Sequence, residues 1–249
     1  MSDPYHYQFP QKTPMTCGDE TLRQRALTMT NAQGISKGGS AFRLSANYAI
    51  TANHVAGEAS GDIYLKNGNG SFTKGWVVKS TFQPTRNTME ILQRLASLKL
   101  ANYGHDISLI KILNTSDIHP IRIAQSVKVG TTLSIYSHTQ GNIQRYGNVL
   151  EGQKFFDNAP YLKWEILSVR GDSGSGIVDC NDNLVTIVSA GGYEGQGSAW
   201  MWTGWNMVRR ENTNYGPPPE VLSHFLANSP AAGELGLTPE PVGEGTPGR

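Results

Sequence analysis

Long apolar runs are missing from this 249-residue chain. No stretch approaches the roughly 18 consecutive apolar residues of a membrane-spanning helix, so no membrane association is expected. Cysteine is scarce: Cys17 and Cys180 are the only two, too few for a four-ligand zinc centre or a disulfide scaffold. Cys180 ends the apolar run "GIVDC" and reads as a small buried hydrophobe. A Cys17–Cys180 bridge is compatible with the sequence but is not expected. An excess of one charge is lacking as well, with 21 Lys+Arg against 20 Asp+Glu. Without a basic cluster interleaved with aromatics, neither nucleic acid nor an anionic lipid surface is an expected partner. The opening "MSDPYHYQFPQKTPM" has no basic segment followed by an apolar one, so no secretory leader is expected. The setting is read as cytoplasmic, in a bacterium or a virus-infected cell. No internal repeat is visible.

What the chain has in quantity is turn formers, 28 Gly and 13 Pro, between short β-prone runs. "GGSAFRLSANYAITANHV" reads as two strands around Ser45-Ala46-Asn47. "DIYLK", "GWVVKSTF", "DISLIKIL", "TLSIYS", "IQRYGNVLEG", "YLKWEILS", "GSGIVD", "NLVTIVSAGG" and "SAWMWTG" follow. About ten short strands between Gly, Asn and Asp turns point to an all-β antiparallel barrel or sandwich and away from a βαβ sheet. The length suits one domain. Residues 1–33, polar with Pro4, Pro10 and Pro14, read as an N-terminal arm with a short helix in "GDETLRQRALTMT". A helix inserted between strands is predicted in "TMEILQRLASLKLA", where Met89, Leu92, Leu95 and Leu98 share a face and Glu90 precedes Arg94. A C-terminal helix is predicted in "PPPEVLSHFLAN", whose prolines lead into a face of Val221, Leu222, Phe225 and Leu226. The Pro/Gly-rich tail, residues 229–249, is expected to be disordered, which leaves 34–228 as the domain proper.

The chemistry concentrates at three places. "SVRGDSGSGIVD" sets Gly171 and Gly174 on either side of Ser173, which lets the backbone turn sharply enough for the N–H groups of Gly171 and Ser173 to converge as an oxyanion hole. A serine hydroxyl is a weak nucleophile at neutral pH and needs a base that a third group orients. His54, at the end of the strand-like "YAIT" run, is the candidate base, and Asp106, immediately before the alternating "ISLIKIL", is the candidate orienting carboxylate. Taken singly, each has a structural reading too, as a core histidine or a strand-start turn residue.

Together, "TANHV" around His54, "HDISLIKI" around Asp106 and "GDSGSGIV" around Ser173 resemble the trypsin-like (chymotrypsin-fold) serine peptidases, in that family's His, Asp, Ser chain order. "KGGSAFRL" is similar to the opening segment of the bacterial and viral members. The resemblance implies two six-stranded antiparallel barrels joined near residues 114–130, the active site in the cleft between them, and a C-terminal helix. It also implies peptide-bond hydrolysis through an acyl-enzyme, without metal or cofactor. The implied partners are peptides or proteins, the chain's own polyprotein among them, and a monomer is expected.

The chain also departs from the family. No Arg/Lys-Ile-Val-Gly-Gly segment supplies the new α-amino group that pairs with the aspartate beside the serine. Either Asp172 takes another cation, such as Arg170, or the fold assembles without such cleavage. By family position the base of the specificity pocket falls at Leu167, with Ser168 next, and its wall at Val188, Ser189, Ala190 and Gly191. With no acid or His there, cleavage after an apolar side chain is expected, and Ser189 to Gly191 would pair with the substrate as an added strand. A lipase-type elbow fails because Ser175 stands where G-x-S-x-G requires glycine. The remaining alternative is an inactive relative that binds a peptide without cutting it. His105 points opposite Asp106 by alternation and is given no role, nor are the other histidines; Trp164, Trp200, Trp202 and Trp205 read as packing.

Overall fold

The computed structural model describes residues 17–56, 62–81, 106–113, 117–137, 143–155, 159–165, 171–192 and 213–239. Six strands close the first barrel: β1 (Ala26–Thr30), β2 (Ser36–Arg43), β3 (Tyr48–Thr51), β4 (Ile63–Asn67), β5 (Phe72–Ser80) and β6 (Ser108–Ile112). They run antiparallel in the order β1-β2-β3-β6-β5-β4, and β1 pairs with β4 to shut the ring. Strand alternation sorts the side chains into two cores. Leu27, Met29, Ala41, Ala49, Ile63, Leu65, Ile110 and Ile112 fill the barrel. Their neighbours Phe42, Leu44, Tyr48, Ile50, Ile107 and Leu109 face outward into a second cluster with Tyr136, Val178, Leu184 and Ile187 of the other half. That shared cluster holds the two halves together.

The second half contains β7 (Thr132–Ser137), β8 (Ile143–Phe155), β9 (Ala159–Glu165), β10 (Gly176–Asp179), β11 (Leu184–Ile187), β12 (Ala190–Gly192) and β13 (Thr213–Gly216). The sheet order is β11-β10-β7-β8-β9-β13-β12, antiparallel at every pairing. Its two end strands, β11 and β12, are separated in sequence only by Val188 and Ser189, so the sheet curls back on itself and the two behave as one bent strand. A Cβ on Gly216 of β13 would collide with the Ile187 carbonyl, and the Thr186 hydroxyl donates to Pro217 O (2.7 Å), both of which place the sheet's ends in contact. The fold is therefore the expected pair of six-stranded antiparallel barrels. Trp164, Leu162, Leu133, Ile135, Val149, Ile177, Val185 and Val188 form the second barrel's core.

Four short helices complete the description: α1 (Asp19–Arg25), α2 (Asn53–Ala56), α3 (Pro219–Ala227) and α4 (Ala232–Leu235). The expected C-terminal helix is α3, which buries Leu222, Phe225 and Leu226 against the inter-barrel cluster. Lys79 of β5 caps its end, with Nζ donating to the carbonyls of Phe225 (2.9 Å) and Asn228 (2.7 Å). The expected helix over "TMEILQRLASLKLA" and the strand "SAWMWTG" lie outside the described residues.

Three expectations are corrected. The arm does not extend to residue 33: the helix stops at Arg25, and Ala26–Thr30 is a barrel strand. The tail is not disordered throughout: residues 229–239 are ordered. Their helix α4 ends on Gly236 (φ 66°), Leu235 and Leu237 pack on the inter-barrel cluster, and both Glu234 carboxylate oxygens accept from Asn47 (3.2 and 3.1 Å). Finally, Cys17 and Cys180 form a disulfide, and Cys180 is exposed rather than buried. The bridge joins the segment leading into α1 to the turn between β10 and β11, a pairing that sequence spacing alone cannot display.

Candidate active site

His54 lies in α2, a single turn entered directly from β3, which carries it out of the first barrel at the cleft. Asp106, 3 % exposed, sits two residues before β6, the strand paired with β3. The adjacent strands thus bring together residues that are far apart in sequence. The carboxylate grips the histidine twice: the His54 backbone N–H donates to Oδ1 at 2.8 Å, and Nδ1 lies 2.6 Å from Oδ2. A carboxylate has no proton to give, so Nδ1 carries the hydrogen and Nε2 is left with its lone pair. The imidazole remains 35 % exposed and so reachable from solvent. Burial alone would lower its pKa, but the hydrogen bond and the charge of Asp106 outweigh that and raise it above 6.5. Beneath this pair runs a chain of buried hydroxyls: Ser108 Oγ donates to Asn53 Oδ1 and pairs with Ser80 Oγ, each at 2.7 Å. It ties the residue before His54 to the strand after Asp106.

Ser173, half-buried, stands on the loop 171–175 of the second barrel. Gly171 and Gly174 both have left-handed backbone torsions, φ 101° and 86°, that favour glycine. At Gly174 space also demands it, since a Cβ would collide with Ser40 O and Thr51 Oγ1. The loop is thereby pressed against the end of β3, just ahead of His54. Gly174 N–H donates to Val188 O (2.8 Å) and Ser175 N–H to Asp172 O (2.8 Å). Among the described residues, the N–H groups of Gly171 and Ser173 have no acceptor. Two donors close together and unmatched are what an oxyanion site requires.

Asp172, fully buried, finds a cation; Arg170, the expected candidate, lies outside the described residues. The cation is Arg145 of β8, whose Nη2 lies 2.5 Å from Oδ2. Sequence reasoning missed Arg145 because a single cation in a long strand carries no local mark of a partner across the barrel. Of the expected pocket residues, Leu167 and Ser168 lie outside the described residues. Val188 points into the second core. Ser189 donates its N–H to Tyr215 O (3.0 Å), and its buried hydroxyl has no partner among the described residues. Ala190 and Gly191 belong to β12, the end strand of the sheet, whose other side is open to pairing among the described residues. Among the described residues no cluster of three or more His, Cys, Asp or Glu is placed to hold a metal.

No family model matches this chain, and no curated protein matches it in sequence. In structure it is similar to the crystal structure of the Rv3671c protease, inactive form, with a TM-score of 0.56 over 85 % of this chain and 92 % of that one. At 13 % identity the likeness carries the fold alone: this chain has a chymotrypsin-like double barrel.

Proposed function

We propose that the chain is a serine endopeptidase in which Ser173 attacks a peptide carbonyl. The observation that carries the reading is His54, held twice by Asp106, beside a serine loop with two N–H donors unmatched among the described residues. In the first step His54 Nε2 takes the Ser173 proton as the hydroxyl oxygen bonds to the carbonyl carbon. Asp106 keeps the proton on Nδ1 and stabilises the imidazolium. The negative charge that develops on the carbonyl oxygen is met by the N–H groups of Gly171 and Ser173. Collapse expels the amine, which takes the proton back from His54, and leaves an acyl-enzyme. Water, deprotonated in turn by His54, then releases the acid and restores Ser173. The open side of β12 would take the substrate as an added antiparallel strand. Leu167 favours an apolar side chain ahead of the cut bond, which a peptide library would read out.

The test is labelling of the folded chain by a fluorophosphonate serine probe, followed by intact mass. One adduct on the wild type, absent from Ser173→Ala and strongly slowed in His54→Ala, is expected. A folded wild type that stays unlabelled would overturn the reading and leave an inactive, peptide-binding relative.

A further inference from the structure

Resting on that reading, we propose that Ser40 is a positioning residue that holds the oxyanion-binding loop in working geometry from the opposite barrel. Ser40 is on β2, 4 % exposed, and spends every polar group it has. Its N–H donates to Ser173 O (2.8 Å), its hydroxyl donates to Gly171 O (2.7 Å), and its carbonyl accepts from Thr51 Oγ1 (2.6 Å). The backbone bond would survive substitution. The hydroxyl bond would not.

What makes the hydroxyl specific is the state of Gly171. With φ at 101° and no Cβ, its two flanking peptide planes are free to rotate, and one of them carries a proposed oxyanion donor. The other loop members have anchors of their own: Asp172 on Arg145, Gly174 on Val188, Ser175 on Asp172. Among the described residues, nothing but the Ser40 hydroxyl hydrogen-bonds Gly171. Fixing the Gly171 carbonyl fixes the peptide plane between the two donors, and so the direction in which both N–H groups point. The same strand also abuts the histidine's helix, since a Cβ on Gly39 would collide with Val55. Ser40 therefore sets the second barrel's loop against the element that carries the base.

The experiment measures fluorophosphonate labelling of the full chain at several probe concentrations and pH values, which separates the saturating rate from probe affinity. For Ser40→Ala the saturating rate should fall about 10–100-fold, less than the roughly 100–1,000-fold of losing an oxyanion donor outright. Probe affinity and the pH midpoint should stay put, because the hydroxyl touches neither His54 nor Asp106. Thr73→Val, which removes a part-buried hydroxyl bond of the same length to Leu113 O (2.7 Å) elsewhere in the first barrel, should label like the wild type. A folded Ser40→Ala that labels at the wild-type rate, or whose loss comes with a shifted pH midpoint, overturns the proposal. Should Ser40→Ala not fold, Ser40→Cys substitutes a weaker donor: slowed labelling supports the clamp, and wild-type labelling overturns it. An unlabelled wild type sinks the peptidase reading and this one with it, whereas a labelled wild type with an indifferent Ser40 variant sinks only this one.

Discussion

His54 carries two pH dependences of opposite sign. Asp106 raises its pKa above 6.5 in the folded chain, so folding takes up a proton between 6.5 and the raised value. The stability that His54 contributes is full below pH 6.5 and is lost as pH rises through the folded pKa. Activity runs the other way, because only neutral imidazole can accept the Ser173 proton. Labelling should rise with pH along a single-proton curve whose midpoint lies above 6.5. Over the same window, the stability advantage of the wild type over His54→Ala should shrink. A labelling midpoint below 6.5 would contradict the grip that the 2.6 Å contact implies.

The strand β8 and the serine loop make a unit through the buried Arg145–Asp172 pair, at 8 % and 0 % side-chain exposure. Removing one partner leaves the other's charge buried without its ion pair, a loss of about 3–5 kcal/mol. Arg145→Met should lower the unfolding free energy by that amount in urea titration and abolish labelling. Adding Asp172→Asn should restore most of the stability, since neither charge of the pair then remains buried. If the double variant were no more stable than the single one, the pair would not be what holds the loop. Elements of this kind divide into those a sequence displays and those it hides. Strands such as β6, where Leu109 and Ile110 alternate between two cores, announce themselves by pattern, and so do the glycines around Ser173. β1 was hidden because Ala26-Leu27 continues the helix-forming run "ETLRQR" without a break, and only its pairing with both β2 and β4 makes it a strand. β13 was hidden because "TNYG" has turn composition and is ordered by β9 and β12. His54, Asp106 and Ser173 were legible from their local motifs. Arg145 and Ser40 were not, because each acts across a barrel on a partner that only the fold supplies.

At the scale of the molecule, the chain's first described elements cross both barrels. Cys17 and α1 lie on the second one, where Tyr146 Oη donates to Asp19 (2.8 Å) and Gln144 Nε2 to Cys17 O (3.1 Å), while β1 closes the first. Arg25, at the joint, donates to the carbonyls of Arg43 (3.3 Å), Leu44 (3.1 Å) and His119 (2.7 Å). Burial and the adjacent Arg43 lower its pKa to about 10, which leaves it charged at neutral pH. The Cys17–Cys180 bridge spans 163 residues of the 249-residue sequence, so it constrains about two-thirds of the unfolded chain. In the chain-entropy account a loop of that length is worth about 5 kcal/mol, with native strain subtracting from it. Unfolded, unreduced protein should therefore show no free thiol, and reduction should lower the urea midpoint by a shift worth several kcal/mol of unfolding free energy. A Cys17→Ser/Cys180→Ser variant should match the reduced wild type and ignore reductant. The serine loop has its own anchors in Arg145, Val188 and Ser40, none of which passes through the bridge. Below the unfolding transition, reduced and oxidised chains should therefore label at the same rate. An unchanged midpoint on reduction would mean that the packing of α1, not the bridge, keeps the arm on the second barrel. A labelling rate that fell on reduction would mean that the β10–β11 turn reaches the serine loop after all.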